Sequence, residues 1–281
     1  MTAEVIAFPQ LSESLSAFCA ASEDPMVRTA PQWISGCLEL DQTLPPQYGW
    51  RFSDQEALRK QVSGLKSSTE FNRVFWTDQA RNVEAYSMMS MWRGAELLKP
   101  AIRSLNVGEL ITPSVLARSL LELSTAYLLH ANTIEKLFSE LTFPPNTLVT
   151  SQEFEERVVR MIWGTRLGEP EPHLKQTNVL TLIQKLAKNP EAAELLPHYE
   201  FLCEIAHPNV IGNNRFWSHV ERVNDDGSQT RTLARTANGD HAFEIQSKVL
   251  WSLAWSAGSL RNSFTLTHTA LNALLSKLTG A

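Results

Sequence analysis

Apolar residues recur at intervals of three and four along most of the chain, the spacing of one face of an α-helix. The N-terminal part is the least regular. Leu11, Leu15 and Phe18 keep helical spacing, as do Trp33, Cys37 and Leu40, before Leu44-Pro45-Pro46 and Tyr48-Gly49 interrupt it. Ser53-Asp54-Gln55-Glu56 has the form of a capping box and predicts a helix carrying Leu58, Val62 and Leu65. A longer helix is predicted from about Gln79 to Leu98, ended or kinked at Pro100. Thr112-Pro113 pairs an N-cap residue with a proline suited to the first helical position, and the helix behind it runs to about Leu141. Its stripe is Leu116, Leu120, Leu123, Tyr127, Ala131, Ile134, Phe138 and Leu141, widened by Leu121 and Leu128. So much apolar circumference predicts a position at the centre of a bundle.

Pro144-Pro145 closes that segment, and Ser151 opens a helix through Phe154, Val158 and Ile162. Gly164 to His173 reads as a loop, and Thr177 as the cap of a short helix over 179–187. Asn189-Pro190 starts the next helix, which carries Leu195, Tyr199 and Leu202 and must stop near His207-Pro208. The period changes over 215–236, where partial alternation on either side of Asp225-Asp226-Gly227 predicts a β-hairpin. Two closing helices are expected, His241 to Trp255 and Gly258 to Lys277. Phe264, Leu271 and Leu278 fall at near-heptad spacing on the second. They either seal the bundle or offer a face for a homodimer through the C-terminal helix. The fold class is therefore mainly α, a multi-helix bundle with one β-hairpin near residues 215–236. The chain reads as a single helical domain over 1–281, within which 1–110 forms a subregion packed on a core of 111–281.

With 281 residues, 43% hydrophobic and 20% charged, the chain can bury a core without a metal or disulfide framework. Its cysteines, Cys19, Cys37 and Cys203, are odd in number and widely spaced. Met1 to Gln10 lacks the basic start and apolar core of a secretory leader, and the apolar run Val249 to Leu260 is too short to span a bilayer. A cytoplasmic chain with no membrane association is the expectation. The net charge of −5 disfavours broad nucleic-acid binding, though residues 213–281 alone are net basic, at +2, and leave room for a local basic groove.

No phosphate-binding loop, dinucleotide fingerprint, zinc-protease helix or nucleophile elbow is present, and no cofactor or metal-binding set stands out. The densest polar stretch is Leu202-Cys203-Glu204-Ile205-Ala206-His207-Pro208-Asn209, followed by Gly212-Asn213-Asn214-Arg215-Phe216-Trp217-Ser218-His219. Converging histidines, an arginine and a carboxylate can carry acid–base chemistry. Cys203 and His207, four apart, can share a helix face as a thiol or metal site. Equally, Cys203 can be a small core residue, His207 a helix cap and the asparagines turn formers. Arg118 and Glu122 can pair along the central helix, at its rim or in a cleft. His130 reads as a near-core histidine. Trp251 and Trp255 form a binding platform or, like Met88, Met89 and Met91, core filler.

Arg118-x-x-x-Glu122 on one helix, followed by Tyr199-x-x-x-Cys203-Glu204-x-x-His207-Pro208-Asn209 at the end of another, resembles uncharacterised helical bacterial proteins. Region 112–219 is also loosely similar to HEPN-type domains, helical bundles that often act as metal-independent ribonucleases in toxin–antitoxin and phage-defence systems. In that family an arginine and a histidine, with four to six residues between them, serve a dimeric active site. Here no arginine precedes His207 at that distance, and Arg215 and His219 have three residues between them. Two expectations follow. The first is a non-catalytic helical binding or oligomerising protein of a bacterial stress or defence system, with a protein partner. The second, implied by the resemblance, is a ribonuclease-like effector acting on RNA. Its catalytic set would be His207, Arg118, Glu122, Arg215 and His219, with Asn209, Glu204 and Tyr199 as binding residues.

Overall fold

The computed structural model describes residues 8–235 and 239–280. Among them lie ten α-helices and one two-stranded antiparallel sheet, so the fold is mainly α. Three short helices, α1 (Glu13–Ala21), α2 (Pro25–Arg28) and α3 (Ala30–Thr43), come first. They are followed by α4 (Gln55–Val62) and the long α5 (Ser68–Asn106) and α6 (Ile111–Glu140). Next come α7 (Gln152–Trp163), α8 (Val179–Leu186) and α9 (Leu195–Ala206). The hairpin strands β1 (Ser218–Val223) and β2 (Gln229–Leu233) precede the final helix, α10 (Gly239–Gly280).

The frame is α5, α6 and α10. A short turn joins α5 to α6, so these two run antiparallel. Lys277 near the end of α10 donates to the carbonyls of Phe138, Ser139 and Leu141 at 2.8–2.9 Å, so α10 ends where α6 ends and runs parallel to it. The ammonium also neutralises the negative end of the α6 dipole.

Two helices are longer than the local signals predict. α5 begins at Ser68 and passes through Pro100 instead of stopping near Leu98. The lost backbone bond is outweighed because Leu98, Ala101, Ile102 and Leu105 are all buried in the core. α10 is one helix, not two. Every residue from Val249 to Leu260 is buried, so the bundle surrounds it there and holds Gly258 and its serines helical. A Cβ on Gly258 would lie 3.2 Å from the Trp33 ring, and one on Gly94 of α5 would lie 2.6 Å from Leu260 Cδ1. Small residues thus let α3 and α5 approach α10 closely. The centre of the bundle is shared between α6 and α10.

The side chains form two apolar clusters. One joins α1–α3 to parts of α5, α6, α8, α9 and the first half of α10. The other lies between α5, α6, α7 and the end of α10 around the fully buried Trp76, whose indole N–H donates to the Val149 carbonyl at 2.9 Å. Both contain residues from either side of position 110. Phe264, Leu271 and Leu278 are buried inside this chain. They seal the bundle, so the expected homodimer face on the C-terminal helix is not a free surface. No helix among the described residues is long and apolar enough to cross a membrane.

Several predicted starts shift by a residue or more. Asp54, not Ser53, caps α4, and Asn178, not Thr177, caps α8, because in each case the later oxygen reaches the first free N–H groups. Thr112 lies within α6, which starts at Ile111 without a side-chain cap. Ser151 caps α7 as expected. Asn189-Pro190 begins only a 3-10 turn, Pro190–Ala192, ahead of α9. The hairpin is shorter than 215–236, since residues 210–215 form a π-helical turn. Thr236 lies outside the described residues.

Candidate functional site

α9 presents Leu195, Tyr199 and Leu202 to the bundle, and α6 passes beside it. This crossing brings the Arg118–Glu122 pair of α6 against Tyr199 and Cys203 of α9. Arg118 Nη2 lies 3.3 Å from Glu122 Oε1, and the Tyr199 hydroxyl donates to the same oxygen at 2.9 Å. The Arg118 guanidinium sits 5.6 Å from the centre of the Tyr199 ring. Arg118 Nε is buried without a hydrogen-bond partner. Burial pushes the Tyr199 phenol up to about 12, with Glu122 adding to it against the pull of Arg118. Burial also raises the Cys203 thiol, against Arg118. The cluster thus holds one cation and one carboxylate, a phenol and a protonated thiol. Its charges cancel, and it ties α6 to α9. A thiol kept protonated in this way is a poor nucleophile and a poor metal ligand, which weakens the Cys203–His207 reading.

At the end of α9 the chain turns sharply. Asn209 Oδ1 accepts from the N–H groups of Ile211 and Gly212 at 3.1 Å, and its amide donates to Glu204 Oε2 at 2.5 Å. Gly212 is required, because a Cβ there would lie 2.3 Å from the His207 carbonyl oxygen. His207 is the exposed C-cap of α9, as its place before Pro208 predicts. His219 is exposed on β1. Neither imidazole makes a side-chain hydrogen bond or ion pair among the described residues. Arg215 ends the π-helical turn and is not on a strand, and its side chain lies outside what is described. The predicted residues therefore fall into separate groups. Arg118, Glu122 and Tyr199 assemble, Glu204 and Asn209 pair, and His207 and His219 have no partner in either group.

The hairpin itself carries a surface that alternation alone missed. Ser218 faces Leu233, Val220 faces Arg231 and Val223 faces Gln229, with a bulge between Val220 and Arg222. Arg231 donates to Ser218 Oγ at 3.0 Å and to Gln229 Oε1 at 2.6 Å, which places these residues on one face. Thr232 donates to Glu221, which with His219, Arg222 and Thr230 marks the other face. The bulge adds one residue, so Val220 and Val223 point the same way. One face thus gathers Val220, Val223 and Leu233, which are 41%, 62% and 78% exposed, beside Ser218, Gln229 and Arg231, while the opposite face carries polar side chains alone. The foot of the hairpin borders a cleft of about 390 Å³ lined by Leu110, Ile111, Phe216, Trp217, Arg235 and Ala242, among others.

Trp251 and Trp255 are buried and lie nearly parallel at 6.4 Å, inside the core and not on a platform. His198, 4% exposed, stacks on Trp251 at 3.8 Å, and its Nδ1 lies 2.8 Å from the Glu194 carbonyl. Burial holds its imidazole down to about 4. His130 is likewise held down to about 4 by burial and by Arg157, in keeping with a near-core histidine. Comparison with family models, with curated proteins and with solved structures gives no match to this chain.

Proposed function

We propose that this chain is a non-catalytic helical binding protein that presents its hairpin to a protein partner. The observation that carries the reading is the hairpin's uncovered apolar face. A two-stranded ribbon is marginal in water by itself, and exposing three large aliphatic side chains on one side of it costs solubility. Such a surface is retained where something covers it. The state of the predicted catalytic residues supports the same reading. Arg118 is neutralised by Glu122, and the two exposed histidines make no hydrogen bond or ion pair with it.

The test is site-specific photo-crosslinking in cells expressing the full chain, with the crosslinking residue at Val223 and, as control, at the exposed Val107 on the α5–α6 turn. A discrete adduct from position 223, absent from position 107 and lost when Val220→Asp is added, is the expected result. Only monomer at positions 220, 223 and 233 sinks the reading.

A second reading keeps the HEPN-like resemblance, a metal-independent ribonuclease-like effector of a defence or toxin–antitoxin system. It is favoured by one feature, the unpartnered Arg118 Nε in a cluster one helical turn before His207. It requires RNA cleavage by the purified chain that Arg118→Ala and His207→Ala each abolish without unfolding it. Cleavage insensitive to both variants removes this reading.

A further inference from the structure

We propose that the partner of the hairpin is an acidic protein segment whose apolar side chains bracket a carboxylate. This rests on the binding reading above and adds to it the chemistry of what is bound. Arg231 stands in the middle of the apolar face, across from Val220 and between Gln229 and Leu233 along β2. Its guanidinium is oriented by two neutral acceptors, Ser218 Oγ and Gln229 Oε1. No carboxylate lies within ion-pair distance of it among the described residues. The acids of the hairpin are placed elsewhere. Glu221 lies on the opposite face with Thr232, and Asp225 and Asp226 lie in the turn, where Ser228 holds Asp226.

A cation held by Ser218 and Gln229, with Val220 across from it and Leu233 beside it, selects a partner in two ways. Apolar side chains cover Val220, Val223 and Leu233, and a carboxylate meets a guanidinium already held in place, so less freedom is lost on pairing. A second copy of this face is disfavoured, because it carries Arg231 and no acid of its own. A nucleic acid gains little from a face whose other large side chains are aliphatic, since stacking needs aromatic ones. The cleft at the foot of the hairpin adds a recess in which Leu110, Ile111, Phe216 and Trp217 stand with Glu109 and Arg235, and Arg235 has no carboxylate within ion-pair distance among the described residues either.

The experiment is selection of a displayed library of random peptides on the full-length chain, followed by affinity measurement of the enriched peptides as synthetic molecules. The expected result is enrichment of sequences with apolar residues around Asp or Glu. Their affinity should fall at least about tenfold with Arg231→Gln and with Val223→Asp, while replacing the peptide acid by its amide gives a similar loss. Helical content and thermal midpoint should stay unchanged in both variants, because residues 223 and 231 lie outside the core. Enriched peptides lacking an acid, or insensitive to Arg231→Gln, overturn the proposal. So does self-association of the chain through this face, or single-stranded RNA binding there. If position 223 gives its crosslink while no acidic peptide is enriched, the partner chemistry is wrong and the binding reading stands. If neither appears, both fail.

Discussion

Acid should destabilise this protein through His198 in a way that can be worked out in advance. The ring is almost fully buried, lies flat against Trp251 and approaches the Glu194 carbonyl through Nδ1. A carbonyl only accepts, so Nδ1 carries the proton of the neutral ring and charging must add a second proton at Nε2. Burial holds the folded pKa down to about 4, against 6.5 for an unhindered histidine. As pH falls, the unfolded chain takes up its proton first. The contribution is therefore full above about pH 6.5, is lost between there and about pH 4, and levels off below. Linkage between those two values gives a loss of about 2 kcal/mol at pH 5 and about 3 kcal/mol at pH 4, relative to pH 7. His198→Phe keeps an aromatic ring on Trp251 and removes the titration. Urea unfolding followed by far-ultraviolet circular dichroism, at pH 7 and pH 5 for both proteins, isolates the effect. His130, also held near 4, acts in both proteins and cancels. The wild type should lose about 2 kcal/mol more than the variant over that interval. Equal losses would refute the argument, and would mean that the buried ring finds a way to charge within the folded state.

Four further outcomes test the packing. Gly94→Ala forces a Cβ to within 2.6 Å of Leu260, itself fully buried, so overpacking of about 1–3 kcal/mol should exceed the roughly 1 kcal/mol gained in helix propensity. A raised thermal midpoint would contradict this. Gly212→Ala meets backbone oxygen atoms of His207 and Glu204, which cannot rotate away. The turn should open, with faster amide exchange at Ile211 and Gly212 and a cost on the order of 1–3 kcal/mol. Tyr199→Phe removes the donor to Glu122, whose carboxylate is partly exposed and keeps Arg118, and denaturant unfolding should show a loss of at most about 1 kcal/mol. Lys277→Met leaves three carbonyls at the end of α6 without their ammonium, so about 1 kcal/mol should be lost and fraying should appear in amide exchange at residues 138–141.

Local chemistry made much of the architecture legible in the sequence alone. The long stripe from Leu116 to Phe138 is a helix because its spacing buries one continuous face. Ser151 starts a helix because its hydroxyl meets the N–H of Phe154, and Pro208 ends one because of the residue it restricts before it. Gly227, at φ 81°, closes the hairpin turn that Asp225-Asp226-Gly227 announced. The Arg118–Glu122 pair was readable from four-residue spacing. Other features exist only through contacts distant in the chain. Pro100 and Gly258 look like helix ends in isolation, yet burial on several sides keeps α5 and α10 continuous through them. Tyr199 joins Arg118 and Glu122 because α6 crosses α9, which no local pattern encodes. The hairpin shows the division most clearly. Strict alternation puts Val220 and Val223 on opposite faces, and the bulge between Val220 and Arg222 puts them on the same one. A strand's composition determines that it pairs, whereas the register of pairing decides which side chains share a surface, because one inserted residue reverses every later side chain.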